Sequence, residues 1–144
     1  MEKPLKRYIL LVDDNIDDID LTILALKKNN IMNVVEVAKN GEEAIELLHA
    51  EENQLKPLPS IVLMDINMPK MNGLEALKRI RSHPRTSALP VVILTSSKEE
   101  QDIIDGYGNG ANSYIRKPVD FLKFVDAVKQ LGVYWLLLNE PLPR

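Results

Sequence analysis

The sequence predicts an α/β protein built on an open, doubly wound parallel sheet of five strands with five helices. Three observations carry that expectation. Short apolar runs alternate strictly with amphipathic stretches of helical period. Most of the runs are almost continuously apolar, as parallel strands covered on both faces must be. Helix-start residues stand ahead of several of the amphipathic stretches.

The strands are read at Tyr8–Val12, Val34–Ala38, Ile61–Met64, Val91–Leu94 and Ser113–Ile115. In the first intervening stretch Ile19, Ile23 and Leu26 recur at helical spacing, and Lys27 and Lys28 lie where cations suit the dipole. Asn40 with Glu43 reads as a cap ahead of Ala44, Ile45 and Leu48. Asn72 with Glu75 repeats the device before Leu77 and Ile80, and Pro84 stops that helix. Ser97 and Glu100 fit a capping box ahead of Ile103, Ile104 and Tyr107. Asp120 can cap the last helix, where Phe121, Phe124, Val128, Leu131 and Trp135 share a stripe. Right-handed crossovers then gather every strand-to-helix loop at the carboxyl edge of the sheet.

The 144 residues fit one domain, residues 1–144, with a core over about 7–135 and a short C-terminal tail. With 21 acids against 18 bases the chain is too balanced for a nucleic-acid binder. The absence of cysteine excludes disulfides and thiolate chemistry. The only apolar run near the start, Tyr8–Val12, is too short for a signal peptide or a membrane span. The expectation is a soluble, cytoplasmic protein. Ala50–Ser60, with Pro57 and Pro59, is the longest loop.

The polar residues of interest fall on that carboxyl edge. Asp13 and Asp14 follow the first strand, Asp65 the third, Thr95 and Ser96 the fourth, and Lys117 the fifth. Three clustered carboxylates repel, so they bind protons or a cation. Oxygen donors without His or Cys favour a hard ion such as Mg²⁺, which commonly shares its sphere with phosphate. Asp65 is then either a nucleophile towards phosphorus or a turn residue of Asp65-Ile66-Asn67-Met68-Pro69. Asp13 and Asp14 could equally be helix caps. Thr95 could donate to a phosphoryl oxygen or simply end its strand. Lys117 can neutralise nearby oxygens as a point charge, and Pro118 makes a cis peptide accessible after it.

The motifs ILLVDDN, IVLMDINMPKMNG, VVILTSS and GANSYIRKP, in that order from Tyr8 onward, resemble bacterial response-regulator receiver domains of the chemotaxis-receiver type. The resemblance extends to Trp135. It implies a flavodoxin-like strand order 2-1-3-4-5 and Asp65 as phosphoacceptor. It implies Mg²⁺ held by Asp14, Asp65 and the Asn67 backbone carbonyl, with Asp13 acting through a metal-bound water. Thr95 and Lys117 would contact the phosphoryl group, the Lys117-Pro118 peptide would be cis, and Tyr114 would be the switch aromatic paired with Thr95. The segment PVDFLKFVDAVKQLGVYWLLLNEP resembles small stand-alone receivers of phytochrome-class sensor kinases. The implied function is a single-domain response regulator, not a conventional enzyme. It would accept its phosphoryl group from a histidine kinase. It would signal through protein contacts of the fourth helix, fifth strand and fifth helix.

The apolar Val133–Leu138 suggests a homodimer through the fifth helix and its neighbours. A phosphorylation-independent interaction module is the alternative. A haloacid-dehalogenase-like phosphatase would need a second Asp where Asn67 stands. A flavin carrier would set its phosphate against Asp13 and Asp14. His49 and His83 are expected at the surface, and Gly106, Gly108 and Gly110 as a helix stop and turn.

Overall fold

The computed structural model describes residues 8–50, 57–95, 105, 107–108, 110–111, 113–116 and 121–132; for Thr95, Ser113, Tyr114, Arg116, Phe121, Phe124 and Leu131 it describes the backbone alone. The five strands are β1 (Ile9–Val12), β2 (Val35–Ala38), β3 (Ile61–Met64), β4 (Val91–Thr95) and β5 (Ser113–Arg116). They form one sheet in the order β2-β1-β3-β4-β5, every neighbouring pair parallel. The helices are α1 (Ile16–Lys28), α2 (Gly41–His49), α3 (Gly73–Ser82) and a last helix, Phe121–Gly132. Asp105, Tyr107 and Gly108 are also helical, in the stretch where the sequence predicts a fourth helix.

Side-chain alternation along the strands divides the core in two. Leu10, Val12, Val62, Met64, Val91 and Ile93 point to the face covered by α2 and α3, where Ala44, Leu48, Leu77 and Ile80 meet them. Ile9, Leu11, Ile61, Leu63, Val92 and Leu94 point to the other face. There they meet Ile19, Ala25 and Leu26 of α1 and Val128 of the last helix. Two buried faces explain why β1 and β3 are apolar at all four positions and buried at all four. β2 departs from the expectation. As the sheet edge it buries only Ala38 fully, and leaves Glu36 and Val37 exposed.

The helix ends follow from local chemistry. Asn15 caps α1 by accepting the Asp18 amide at 3.0 Å, a start signal that its aspartate neighbours obscure. Asn40 accepts the Glu43 amide and Asn72 the Glu75 amide, both at 2.9 Å, as the sequence predicts. α1 ends in a Schellman motif. The Ile31 amide reaches the Leu26 carbonyl and the Asn30 amide reaches Lys27, with Asn30 in the left-handed region at φ 60°. α3 ends at Ser82 because His83 is extended ahead of Pro84. Gly110 turns at φ 98°, which fits the predicted glycine turn, whereas Gly108, expected past the helix, is itself helical. The proposed caps Ser97 and Asp120, the tail from Val133, and Gly106 lie outside the described residues.

Candidate functional site

The sheet ladder runs one residue past the strand ends and fixes the site. The Asp13 amide donates to the Ala38 carbonyl at 3.0 Å, and the Asp65 amide to Val12 at 2.9 Å. Val12 and Met64 are register partners, so Asp13 and Asp65 leave adjacent strands side by side. Asp14 follows on the same turn. The result is that Asp13, Asp14 and Asp65 each offer a carboxylate oxygen within 4.8 Å of the others.

Their surroundings differ. Asp13 is 1% exposed and Asp65 8%, whereas Asp14 is exposed. Asp13 Oδ1 accepts the Asn15 amide at 3.0 Å, and Asp65 Oδ1 accepts the Ile66 amide at 2.8 Å. Each bond uses one carboxylate oxygen as an acceptor for a backbone amide and so orients the group. Two like charges 4 Å apart repel by about 1 kcal/mol in water and about 4 kcal/mol at an effective dielectric of 20. Two buried anions beside a third, open to solvent, form a donor set of hard oxygens with an entry side, which fits a divalent cation.

The loop after Asp65 is held by glycine contacts that composition alone does not reveal. The Gly73 amide donates to Ile66 at 2.9 Å, and a Cβ on Gly73 would overlap the Asp65 carbonyl oxygen. The Gly41 amide donates to Met71 at 3.1 Å, and a Cβ there would lie 2.6 Å from the Met71 oxygen. Lys70 takes the left-handed conformation at φ 66° to close the turn. The Asn72-Gly73 dipeptide after Pro69 was the available turn signal for this packing.

Thr95 closes β4 in register with Arg116, and Tyr114 pairs with Ile93. The backbone therefore carries Thr95 to the same edge as the acids. Asn67 is exposed on the loop after Asp65. Lys117 and Pro118, with the cis peptide expected between them, and Ser96 lie outside the described residues. His49 and His83, expected at the surface, are half-buried against each other. Among the described residues no helix is long and apolar enough to cross a membrane.

Residues 9–129 match the family model of the response regulator receiver domain. The probable methanogenesis regulatory protein FilR2 of Methanothrix harundinacea is 35% identical over 131 residues, which is 91% of this chain and 84% of that protein. The crystal structure of the phosphorylated cyanobacterial phytochrome response regulator RcpA is similar at a TM-score of 0.87 and 33% identity, covering 96% of this chain and all of that one. The Mn²⁺-bound form of response regulator Rcp1 gives a TM-score of 0.83 and 30% identity over 95% of this chain and 99% of that one. With that match and the acidic cluster in place, the chain belongs to the response-regulator receiver family, among relatives that include phytochrome response regulators.

Proposed function

We propose that Asp65 is the phosphoacceptor of this receiver and that its phosphoryl donor is a histidine of a phytochrome-class sensor kinase. The observation that carries this reading is the convergence of the Asp13, Asp14 and Asp65 carboxylates within 4.8 Å in a chain of the receiver family. An Asp65 carboxylate oxygen attacks phosphorus. The new O–P bond forms as the P–N bond to the partner's imidazole breaks, and that nitrogen keeps the electron pair.

Asp13, Asp14, Asp65 and the Asn67 backbone carbonyl would hold Mg²⁺, and the Mn²⁺-bound form of the related Rcp1 supports a divalent ion of this kind. When bound, the ion neutralises charge on the transferring phosphoryl oxygens. The Ile66 amide orients the Asp65 carboxylate, and the buried position of Asp65 limits water at the acyl phosphate. Thr95 and Lys117 would contact the phosphoryl group, with Lys117 placed by a cis peptide to Pro118. Movement of Thr95 towards the new dianion would let Tyr114 turn inward, which shifts a two-state surface around β5 and the last helix. Asn67 in place of a general acid suits a switch more than a phosphatase.

The reading extends to a cytoplasmic protein whose single receiver domain, core about 7–135, signals by protein contact and pairs with a second copy through the last helix. Phosphotransfer tests the donor. A purified phytochrome-class kinase carrying labelled phosphate should pass label to the native chain and not to Asp65→Asn. Equal labelling of both proteins would remove Asp65 from the reaction.

A further inference from the structure

Far from the acidic edge, the imidazoles of His49, at the end of α2, and His83, just past α3, stack with centroids 4.2 Å apart and 17° between planes. Their hydrogen bonds determine where each proton sits. The Thr86 hydroxyl gives its one proton to the Ile80 carbonyl at 2.7 Å. Towards His49 it can only accept, so His49 Nε2 carries a proton and donates it over 2.8 Å. His83 Nδ1 accepts the Arg85 amide at 3.2 Å, which leaves the proton of the neutral ring on Nε2. A second proton on His83 must occupy Nδ1, where the Arg85 amide already points. Charging that ring and keeping the bond exclude each other.

The surroundings of His49 oppose its protonation. Lys78 and Arg79 of α3 line the same surface cavity of about 450 Å³, with Ile45, Ser82 and Pro84, and no carboxylate lines it among the described residues. The charge of Arg85 in the turn also acts on His49. Glu46, exposed on α2 three residues before His49, has an interaction of its own. Burial first, then His83 and Arg85, lower the His49 pKa from its ordinary 6.5.

The stack is fastened to a turn that leads elsewhere. The Thr86 amide donates to His83 and the Leu89 amide to Thr86, just ahead of β4. From the other side Arg81 grips the same turn. Its Nη1 donates to the Leu89 carbonyl at 2.7 Å and to Thr86 at 3.4 Å, while its Nε donates to Gly110 at 2.8 Å. One guanidinium thus joins the histidine-held turn to the glycine turn that precedes β5.

We propose that the His49–His83 stack is a proton-sensitive latch. While neutral it fastens the α3–β4 turn to the end of α2. On acidification a proton on His83 Nδ1 displaces the Arg85 amide and the stacked rings gain charge, while the His49 Nε2–H bond to Thr86 persists; the turn loosens at Arg85, and Arg81 carries the loosening to the Gly110 turn. The device depends on neither the metal nor the phosphoryl group.

Amide and imidazole NMR of the full chain between pH 8 and pH 5 tests it. The Arg85 and Gly110 amide resonances should move together, with the midpoint of a histidine ring of the pair. In a His49→Gln/His83→Phe double variant, which keeps one aromatic face and has no second proton to bind, both movements should vanish. Native rings that titrate while either amide stays still would overturn the proposal. So would Arg85 and Gly110 shifts that persist in the double variant. If that variant does not fold, the native titration alone decides, because the two amides must follow the rings.

Discussion

At the scale of single residues, the site depends on positions where a side chain is missing as much as on those where one is present. Gly73 brings the first turn of α3 onto the Asp65–Ile66 backbone, and a methyl group would overlap the Asp65 carbonyl. Gly73→Ala must therefore push the loop that carries the proposed phosphoacceptor. Overpacking of this kind costs about 1–3 kcal/mol, so denaturant unfolding should show a loss in that range together with slower phosphorylation. Unchanged stability and rate would mean the loop yields freely. Asn30 offers the opposite case. It pays a left-handed penalty at φ 60° in a motif that glycine serves best, while the Schellman bonds and the packing of Ile31 are independent of its side chain. Asn30→Gly should stabilise by about 0.5 kcal/mol, since asparagine already tolerates this region better than most residues. The left-handed residue does not announce itself in the sequence. Asn29 and Asn30 look alike there, yet the Asn29 side chain donates to the Val125 carbonyl of the last helix, and only Asn30 turns left-handed.

At the scale of elements, each of α1, α2 and α3 is a capped start joined to an apolar face that the sheet receives. α3 shows the balance. Asn72 caps it, Arg79 and Arg81 lie in its last turn, and Ala76, Leu77 and Ile80 are fully buried against the face of the sheet that carries Val62, Met64 and Val91. Leu77→Ala removes a side chain with 0% exposure and should cost about 2–5 kcal/mol, against about 1 kcal/mol for Asn72→Ala. A denaturant series that reversed this order would contradict the core assignment. The far ends of α2 and α3 add a pH dependence. Because folding lowers the His49 pKa, the unfolded chain binds the proton more readily. The stabilisation is complete above about pH 6.5, the ordinary histidine value, and is lost as pH falls through the lower folded value. Thermal unfolding should therefore show a Tm that declines below pH 6.5, and His49→Gln should flatten that decline. An equal decline in the variant would place its cause elsewhere.

At the scale of the whole molecule, the topology does the collecting. Aspartates 52 positions apart in the sequence, Asp13 and Asp65, become neighbours because β1 and β3 are adjacent and parallel. Element type and the shared edge were legible in the chain, from apolar runs, capped helices and parallel order, whereas the adjacency of β1 and β3 was implied by the resemblance to receiver domains and is found in the sheet order. What was not legible depended on close approach. The Gly41–Met71 and Gly73–Asp65 contacts, the Arg81 bridge and the His49–His83 stack all join residues whose pairing follows from the fold, and sequence spacing does not encode it. The exposure of β2 likewise reflects its place at the edge, which Val34–Ala38 does not reveal by composition. Acceptance of the phosphoryl group by Asp65 is the central proposed step, and intact mass tests it most directly. After incubation with Mg²⁺ and a small acyl-phosphate donor, the native chain should gain the mass of one phosphoryl group. Asp65→Asn, or the native chain with its metal chelated, should gain none. A phosphoryl group that still appears on Asp65→Asn would contradict the assignment.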